Sequence, residues 1–345
     1  MTMKVKTIKA AGVFLGIAAS LVAATALYSC VTGERLMKVT ARVVDDGGTP
    51  VDAASISLVF GSYENVASGK TGRDGSFTAE RLNHDLWCDV NVRKDGYYDA
   101  TLHPSVLMEK TDGVRWLPWN PEVTLVLKRK INPAAMYACP QHSWILPGEA
   151  KRAEFDLAAC DWLPPYGSGV VADLVLEVLE TEYPVLAGDG SRGWKSKVRL
   201  SFSNPKDGLV VVPVDPTGER TSRLLLPQTA PENGYQPELV IASGLPDPVA
   251  AGGEKVSAGV MSDWGLIFRV RSKVDEKGEV VSSLYGKMNY PPLLLFDWEA
   301  DEGKISWNLE YYLNPEPNSR ALEFDTKKNL LKAEGRLDWV HVINP

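Results

Sequence analysis

The side chains that could carry chemistry in this chain are few and scattered. Four cysteines stand at Cys30, Cys88, Cys139 and Cys160, and four histidines at His84, His103, His142 and His341. Structural zinc is held by Cys and His at short, regular spacings. No CxxC and no HxxxH occurs, so no metal site is expected. Ser168 in "YGSGV" has glycines directly on both sides, which is not the G-x-S-x-G spacing of a strained nucleophile turn. The zinc-protease signature H-E-x-x-H is missing from the sequence. "FDWEADEG" (296–303) supplies Asp297 and Glu299. They alternate with apolar neighbours, as on the solvated face of a strand, whereas a glycosidase needs two carboxylates across a cleft. "VDEKGEV" and "DDGG" lack the ligand order of a calcium loop. These residues predict no catalytic set, no metal and no cofactor.

Cys30 differs because of what precedes it. Lys4, Lys6 and Lys9 form a basic start, and Ala10 to Ser29 carry no charge. The run ends in "LYSC", with Leu27 three positions and small Ser29 one position before the cysteine. The pattern resembles a bacterial lipobox, which implies cleavage before Cys30 and a lipidated thiol that anchors the chain to a membrane. Tyr28 stands where small residues are commoner, so an uncleaved apolar helix is the second reading; about 18 apolar residues can span a bilayer. Ordinary secretion is the third. The two anchored readings leave residues 31–345 outside the cytoplasm on a tether. Val31 after the cysteine, in place of the Asp that marks inner-membrane retention, favours the outer membrane.

The remaining thiols are odd in number, so at least one is free. Cys139 and Cys160 would close a loop of about twenty residues, worth about 3 kcal/mol if bonded. Spacing does not show that they pair: Cys88 with Cys139, or three buried reduced thiols, are the alternatives. Net charge is −7, and the three lysines before residue 30 are among the positives, so the exported part is more acidic still. Phosphate contacts need Lys and Arg, so nucleic acid is not an expected partner.

Aromatic rings beside prolines are the other candidates for binding. "DWLPPYGSG" (161–169) places Trp162 and Tyr166, "RWLPWNPE" (115–122) places Trp116 and Trp119, and "NYPP" (289–292) adds Tyr290. Rigid aromatics offer flat apolar faces to sugars or partner chains. The favoured reading is that such rings plug the ends of a sandwich or a domain interface, where Trp116 and Trp119 would pack on the second domain. Trp162 and Tyr166 are the leading candidates for a ligand surface.

The elements that must position these residues are strands. Apolar content of 44% suffices for packed cores, and 23 prolines with 29 glycines suit short strands and many turns. In "MKVTARV" Met37, Val39, Ala41 and Val43 face one way, the pattern of a half-buried strand. "ASISLVF" alternates through Ala54, Ile56, Leu58 and Phe60, "WCDVNV" through Cys88, Val90 and Val92, and "VTLVL" closes the set. Asp74-Gly75 in "GKTGRDGSF" is a hairpin signal.

The order "VVDDGGTPVDAASISL", "TGRDGSF", "VRKDGYY" resembles the carboxypeptidase regulatory-like domain, a transthyretin-like sandwich. The matching positions are Gly48, Pro50, Val51, Ala54 and Ile56, then Thr71, Asp74, Gly75 and Phe77, then Val92, Gly96 and Tyr97. The resemblance covers residues 37–128 and implies a supporting fold with no active site. "LHPSVLMEKTDGVRWLPWNPE" (102–122) is longer than that family's usual last link, and no peptidase accompanies it.

Beyond a linker at 129–136, where Asn132-Pro133 favours extended chain, the strand pattern resumes. "VADLVLEV" aligns Ala172, Leu174, Leu176 and Val178, and "KVRLSFS" aligns Val198, Leu200 and Phe202. "GLIFRVRS" sets Leu266, Phe268 and Val270 against Arg269 and Arg271, and "KISWNLEYY" sets Ile305, Trp307, Leu309 and Tyr311 against Ser306, Asn308 and Glu310. "NPKDG" and "DEKG" read as turns, and "LLKAEG" as a short helix.

The chain therefore reads as all-β, two tandem β-sandwich domains after an N-terminal lipoprotein signal segment. Its parts are signal 1–29, tether 30–36, a first sandwich 37–128, the linker, and a second sandwich-like domain 137–345. The function expected is that of a non-enzymatic, lipid-anchored cell-envelope protein whose second domain binds a glycan or another envelope protein. A hydrolase acting on polysaccharide or peptide, and a purely structural envelope component, are the alternatives.

Overall fold

The structure, a computed structural model, describes residues 32–103, 107–147, 149–186, 192–214, 222–245, 255–257, 263–296 and 304–335. Cys30 and its lipobox, Asp297, Glu299 and His341 lie outside them. The protein is all-β, with two compact units: the first takes the described residues up to Arg129 together with Ser222 and Arg223, and the second takes the rest from Lys130 on. Among the described residues no helix is long and apolar enough to cross a membrane.

The first unit holds β1 (Arg35–Asp45), β2 (Ser55–Phe60), β3 (Val66–Lys70), β4 (Ser76–Asn83), β5 (Cys88–Arg93), β6 (Ala100–Leu102), β7 (Lys110–Thr111), β8 (Trp116–Leu117) and β9 (Glu122–Leu127). One sheet runs β4-β1-β9 and the other β3-β2-β5-β6, with β7 and β8 as a separate ribbon. Period-2 alternation makes the core. Met37, Val39, Ala41 and Val43 of β1 pack with Leu125 and Leu127 of β9, and across from them lie Ile56, Leu58, Val90 and Val92. The Asp74-Gly75 turn forms as the sequence suggests. Asp74 accepts the Ser76 N–H at 3.1 Å, and Gly75 sits at φ +77°. A Cβ at Gly75 would lie 2.4 Å from the Val43 carbonyl, so this turn needs glycine for space as well as for φ.

The second unit holds β10 (Ala134–Pro147), β11 (Arg152–Asp156), β12 (Asp161–Trp162), β13 (Leu174–Leu186), β14 (Arg192–Ser201), β15 (Gly208–Pro213), β16 (Glu238–Leu245), β17 (Lys255–Ser257), β18 (Trp264–Val274), β19 (Val280–Met288), β20 (Leu293–Phe296), β21 (Lys304–Asn314), β22 (Phe324–Asn329) and α1 (Leu330–Ala333). β10 begins within the stretch expected as linker. One sheet has the order β15-β18-β19-β21-β10-β22, with β20 also on β21, and the second has β12-β11-β13-β14-β16-β17. The main core lies between them, where Leu174, Leu176, Val198 and Leu200 meet Leu266, Phe268, Trp307 and Leu309.

Two departures from simple alternation shape this unit. In β10, Cys139 pairs with Tyr311 but His142 pairs with Leu309, so Pro140 and Gln141 form a bulge. Pro140 has no N–H to give a ladder, and a bulge is where a strand tolerates that. The extra residue keeps Tyr137, Cys139, His142, Trp144 and Leu146 on one face. In β18, Val270 pairs with Leu284 and Lys273 with Ser282, which places a second bulge at Arg271–Ser272. Arg271 there adopts φ +55°. The second face of β21 is also covered: Ser306, Glu310 and Tyr312 are buried, so the alternation read in "KISWNLEYY" separates two cores rather than a core from solvent.

Candidate functional site

A cavity of about 810 Å³ opens in the second unit between the bulged part of β10 and the segment from β11 to the end of the following loop. Its aromatic wall is Tyr137, His142 and Trp144, and the facing wall includes Asp156, Cys160, Asp161, Ser168 and Arg271.

The aromatic wall follows from the β10 bulge. In a regular strand of this sequence His142 and Trp144 would fall on the opposite face from Tyr137, and the bulge brings them back to it. His142 stands edge-on to Trp144 at 4.8 Å, and Trp144 stands edge-on to buried Phe155 at 5.3 Å. These geometries suit ring quadrupoles and hold the Trp144 plane in place. Burial pushes the His142 imidazole below its ordinary pKa, so it is neutral at pH 7.

The facing wall is a loop tied down by carboxylates. Asp156 Oδ1 accepts the N–H groups of Ala158 and Ala159 at 3.0 Å each, and its Oδ2 accepts those of Val170 and Val171 at 3.1 and 3.0 Å. Asp161 Oδ2 accepts both the N–H and the hydroxyl of Ser168 at 2.8 Å. A Cβ at Gly167 would lie 2.4 Å from Asp161 Oδ1, so only glycine fits beneath this clamp. Burial raises the Asp156 carboxyl, but the N–H groups of Val171, Ala159 and Val170 and the Arg271 charge outweigh it and hold it below the usual carboxylate range.

Arg271 anchors this wall to the other sheet. Its Nε donates to Asp173 Oδ1 and its Nη2 to Asp173 Oδ2, both at 2.8 Å. The same Nη2 donates to Asp156 Oδ1 at 2.8 Å. The left-handed backbone at Arg271 is stabilised in turn by Asp207, which accepts the N–H groups of Arg271 and Ser272 at 2.9 Å each. Asp173 is 1% exposed, and the two-point bond is what makes such burial tolerable. Reading Arg271 as a solvent-facing strand residue is corrected here: the bulge turns it onto two buried carboxylates.

Two of the three thiols whose pairing spacing left open lie side by side. The Sγ atoms of Cys139 and Cys160 lie 2.9 Å apart, both as free thiols, while Cys88 is buried in the first unit. Cys160 adopts φ +55° at the end of the 157–160 turn, whose Leu157 carbonyl accepts the Tyr311 hydroxyl at 2.7 Å.

The aromatic candidates fall elsewhere. Trp162 is 2% exposed and packs edge-on against Phe155 at 5.0 Å, so it offers no ring face to solvent. Pairing of β12 with β11 sets Trp162 opposite Phe155 and turns both inward. Tyr166 is 37% exposed but stands outside the cavity lining. Trp116 packs against the first unit's own core and donates its Nε1–H to the Asn83 carbonyl at 3.1 Å. Trp119 is flanked by Arg115, 4.8 Å from its ring centroid, and by Lys38 at 5.9 Å. The structure thus does not assemble the four rings into one surface. It assembles His142 with Tyr137 and Trp144, and the one signal of this in the sequence is that 137/139 and 142/144 are out of phase across Pro140. Among the described residues no three His, Cys, Asp or Glu side chains converge as a metal set.

No protein-family model and no curated protein sequence matches this chain. Solved structures give low-scoring likenesses. A 3-chlorocatechol 1,2-dioxygenase from Rhodococcus opacus scores a TM-score of 0.23 at 12% identity over 28% of this chain, which spans 60% of the length of that enzyme. A DUF3823 family protein from Parabacteroides merdae scores 0.19 at 10% identity, over 84% of this chain and 99% of that one. The Bacillus anthracis TIE protein scores 0.19 at 13% identity, over 84% and 49%. Scores this low carry no functional argument.

Proposed function

We propose that this is a non-enzymatic, lipid-anchored envelope protein whose second unit holds a saccharide in the β10 cavity. In this reading Cys30 carries the lipid, and the first unit, which resembles a carboxypeptidase regulatory-like sandwich, supports the second. The observation that supports ligand binding is the cavity itself: three rings on one wall, a clamped polar loop on the other, and about 810 Å³ between them. Ring faces stack on the apolar faces of sugars, and fixed polar groups set orientation.

Binding fits these residues better than hydrolysis does. A general acid or nucleophile needs a carboxylate oxygen aimed at substrate. Both oxygens of Asp156 are committed to backbone N–H groups, and so is each oxygen of Asp161, through Trp162 and Ser168. Ser168 donates its hydroxyl to Asp161, which orients the loop.

A glycan array with the purified chain tests the proposal. The expected result is retention of a saccharide class by the wild type and a loss of more than tenfold in affinity for Trp144→Ala, with Tyr166→Ala unchanged. Retention of a glycan with Trp144→Ala silent would remove the cavity from the function. Capture of an envelope protein but of no glycan would favour the protein-ligand alternative.

A further inference from the structure

We infer that Cys139 and Cys160 become a disulfide that staples the two walls of the cavity and preforms it for its ligand. The inference rests on the cavity being the ligand site and goes beyond it by naming a covalent modification that sets the site's shape.

Three observations on different elements carry it. First, the two Sγ atoms already lie 2.9 Å apart, so a small approach reaches bonding distance, about 2.05 Å. Second, each cysteine belongs to a different wall. Cys139 is the last residue before the β10 bulge that delivers His142 and Trp144, and Cys160 closes the 157–160 turn and lines the cavity itself. Third, Cys160 leads directly into Asp161, which clamps Ser168, and follows the turn that Asp156 caps, so a bond at Cys160 fixes the root of the whole loop. Burial raises the Cys139 thiol well above its ordinary pKa, which makes it a poor nucleophile once the fold has closed and places oxidation before closure.

The chemistry balances with a disulfide oxidant of an exported compartment. Two thiols give up two protons and two electrons, the Cys139–Cys160 bond forms, and the oxidant's own disulfide is cleaved to two thiols. Both cysteines are buried, so the bond forms during folding and stays, as a staple and not a reversible switch. A wall separation fixed in advance removes an ordering cost from binding.

The test uses the full chain, purified once from an oxidising compartment and once under reducing conditions. Denaturation in an alkylating agent followed by trypsin should yield peptides 131–151 and 153–192 joined in the first preparation and separately alkylated in the second. Amide exchange at Ser168, Val170 and Val171 should be at least tenfold slower in the joined form. Separate, alkylated peptides from the oxidising preparation would overturn the inference, and so would joined peptides with unchanged exchange at the three amides. Neither readout uses a glycan, so failure of the glycan array leaves this result standing and the reverse also holds. Cys139→Ala with Cys160→Ala keeps the volume apolar; it should show the faster exchange under both conditions.

Discussion

Arg271→Ala is the substitution that most directly tests how the cavity wall is held. It removes three charge-assisted hydrogen bonds, two to Asp173 and one to Asp156. Asp156 keeps four backbone N–H donors, so most of its stabilisation survives. Asp173, 1% exposed in the intact chain, keeps only the Leu157 N–H on Oδ2 at 3.0 Å among these donors. Leaving one partner of a buried pair uncompensated costs about 3–5 kcal/mol. Arg271 is itself 28% exposed, so water screens part of the interaction and about 3 kcal/mol is the expected loss at pH 7. The loss depends on pH with a definite sign. Burial already raises the Asp173 carboxyl, and loss of the guanidinium raises it further. An acid whose folded-state pKa lies above the unfolded value costs stability above the folded pKa, and that cost fades as pH falls toward the unfolded value. The deficit should therefore be largest at pH 7 and shrink at pH 5. Urea unfolding followed by tryptophan fluorescence measures it at both values. Asp173→Asn in the Arg271→Ala background should recover part of the loss, since it removes the unpaired charge. A deficit below about 1 kcal/mol, or one equal at pH 5 and pH 7, would refute the claim that Arg271 neutralises a buried carboxylate.

The other outcomes expected are simpler. Burial, with the Asp89 charge adding to it, pushes the Cys88 thiol up to about 12, so a thiol reagent at pH 8 should modify it only after unfolding; rapid reaction in the native chain would contradict the packing described. Labelled palmitate should enter the wild type and not Cys30→Ser, and retention of residues 1–29 on the mature chain would favour an uncleaved helix instead. Saccharide affinity should stay level from pH 8 to 6.5 and decline below that, because burial lowers His142 and its protonation comes late; a decline centred above 6.5 would take His142 out of the binding wall.

Much of the fold was legible because most strands bury one face, and a buried face leaves a period of two in the sequence. Met37, Val39, Ala41 and Val43 declare β1, and Ile305, Trp307, Leu309 and Tyr311 declare β21, with no help from the rest of the chain. The candidate site was not legible for the opposite reason: it is made where that period breaks. His142 and Trp144 join Tyr137 only because the bulge at Pro140–Gln141 shifts the phase of β10. Arg271 reads as one of two outward cations on β18 until a bulge and a left-handed residue turn it onto Asp156 and Asp173. Trp162 erred in the other direction. Prolines beside it suggested an exposed loop, yet Phe155 on the neighbouring strand draws the ring inward. A bulge stabilises itself through groups distant in sequence, as Asp207 does for Arg271 and Ser272, and a pattern read along one strand does not contain those groups. The same residues that conceal the cavity from the sequence are thus the ones that build it. Deleting one residue at 140–141 would give regular pairing with β21 and leave His142 and Trp144 on the face of Tyr137, so the ring wall should survive loss of the bulge.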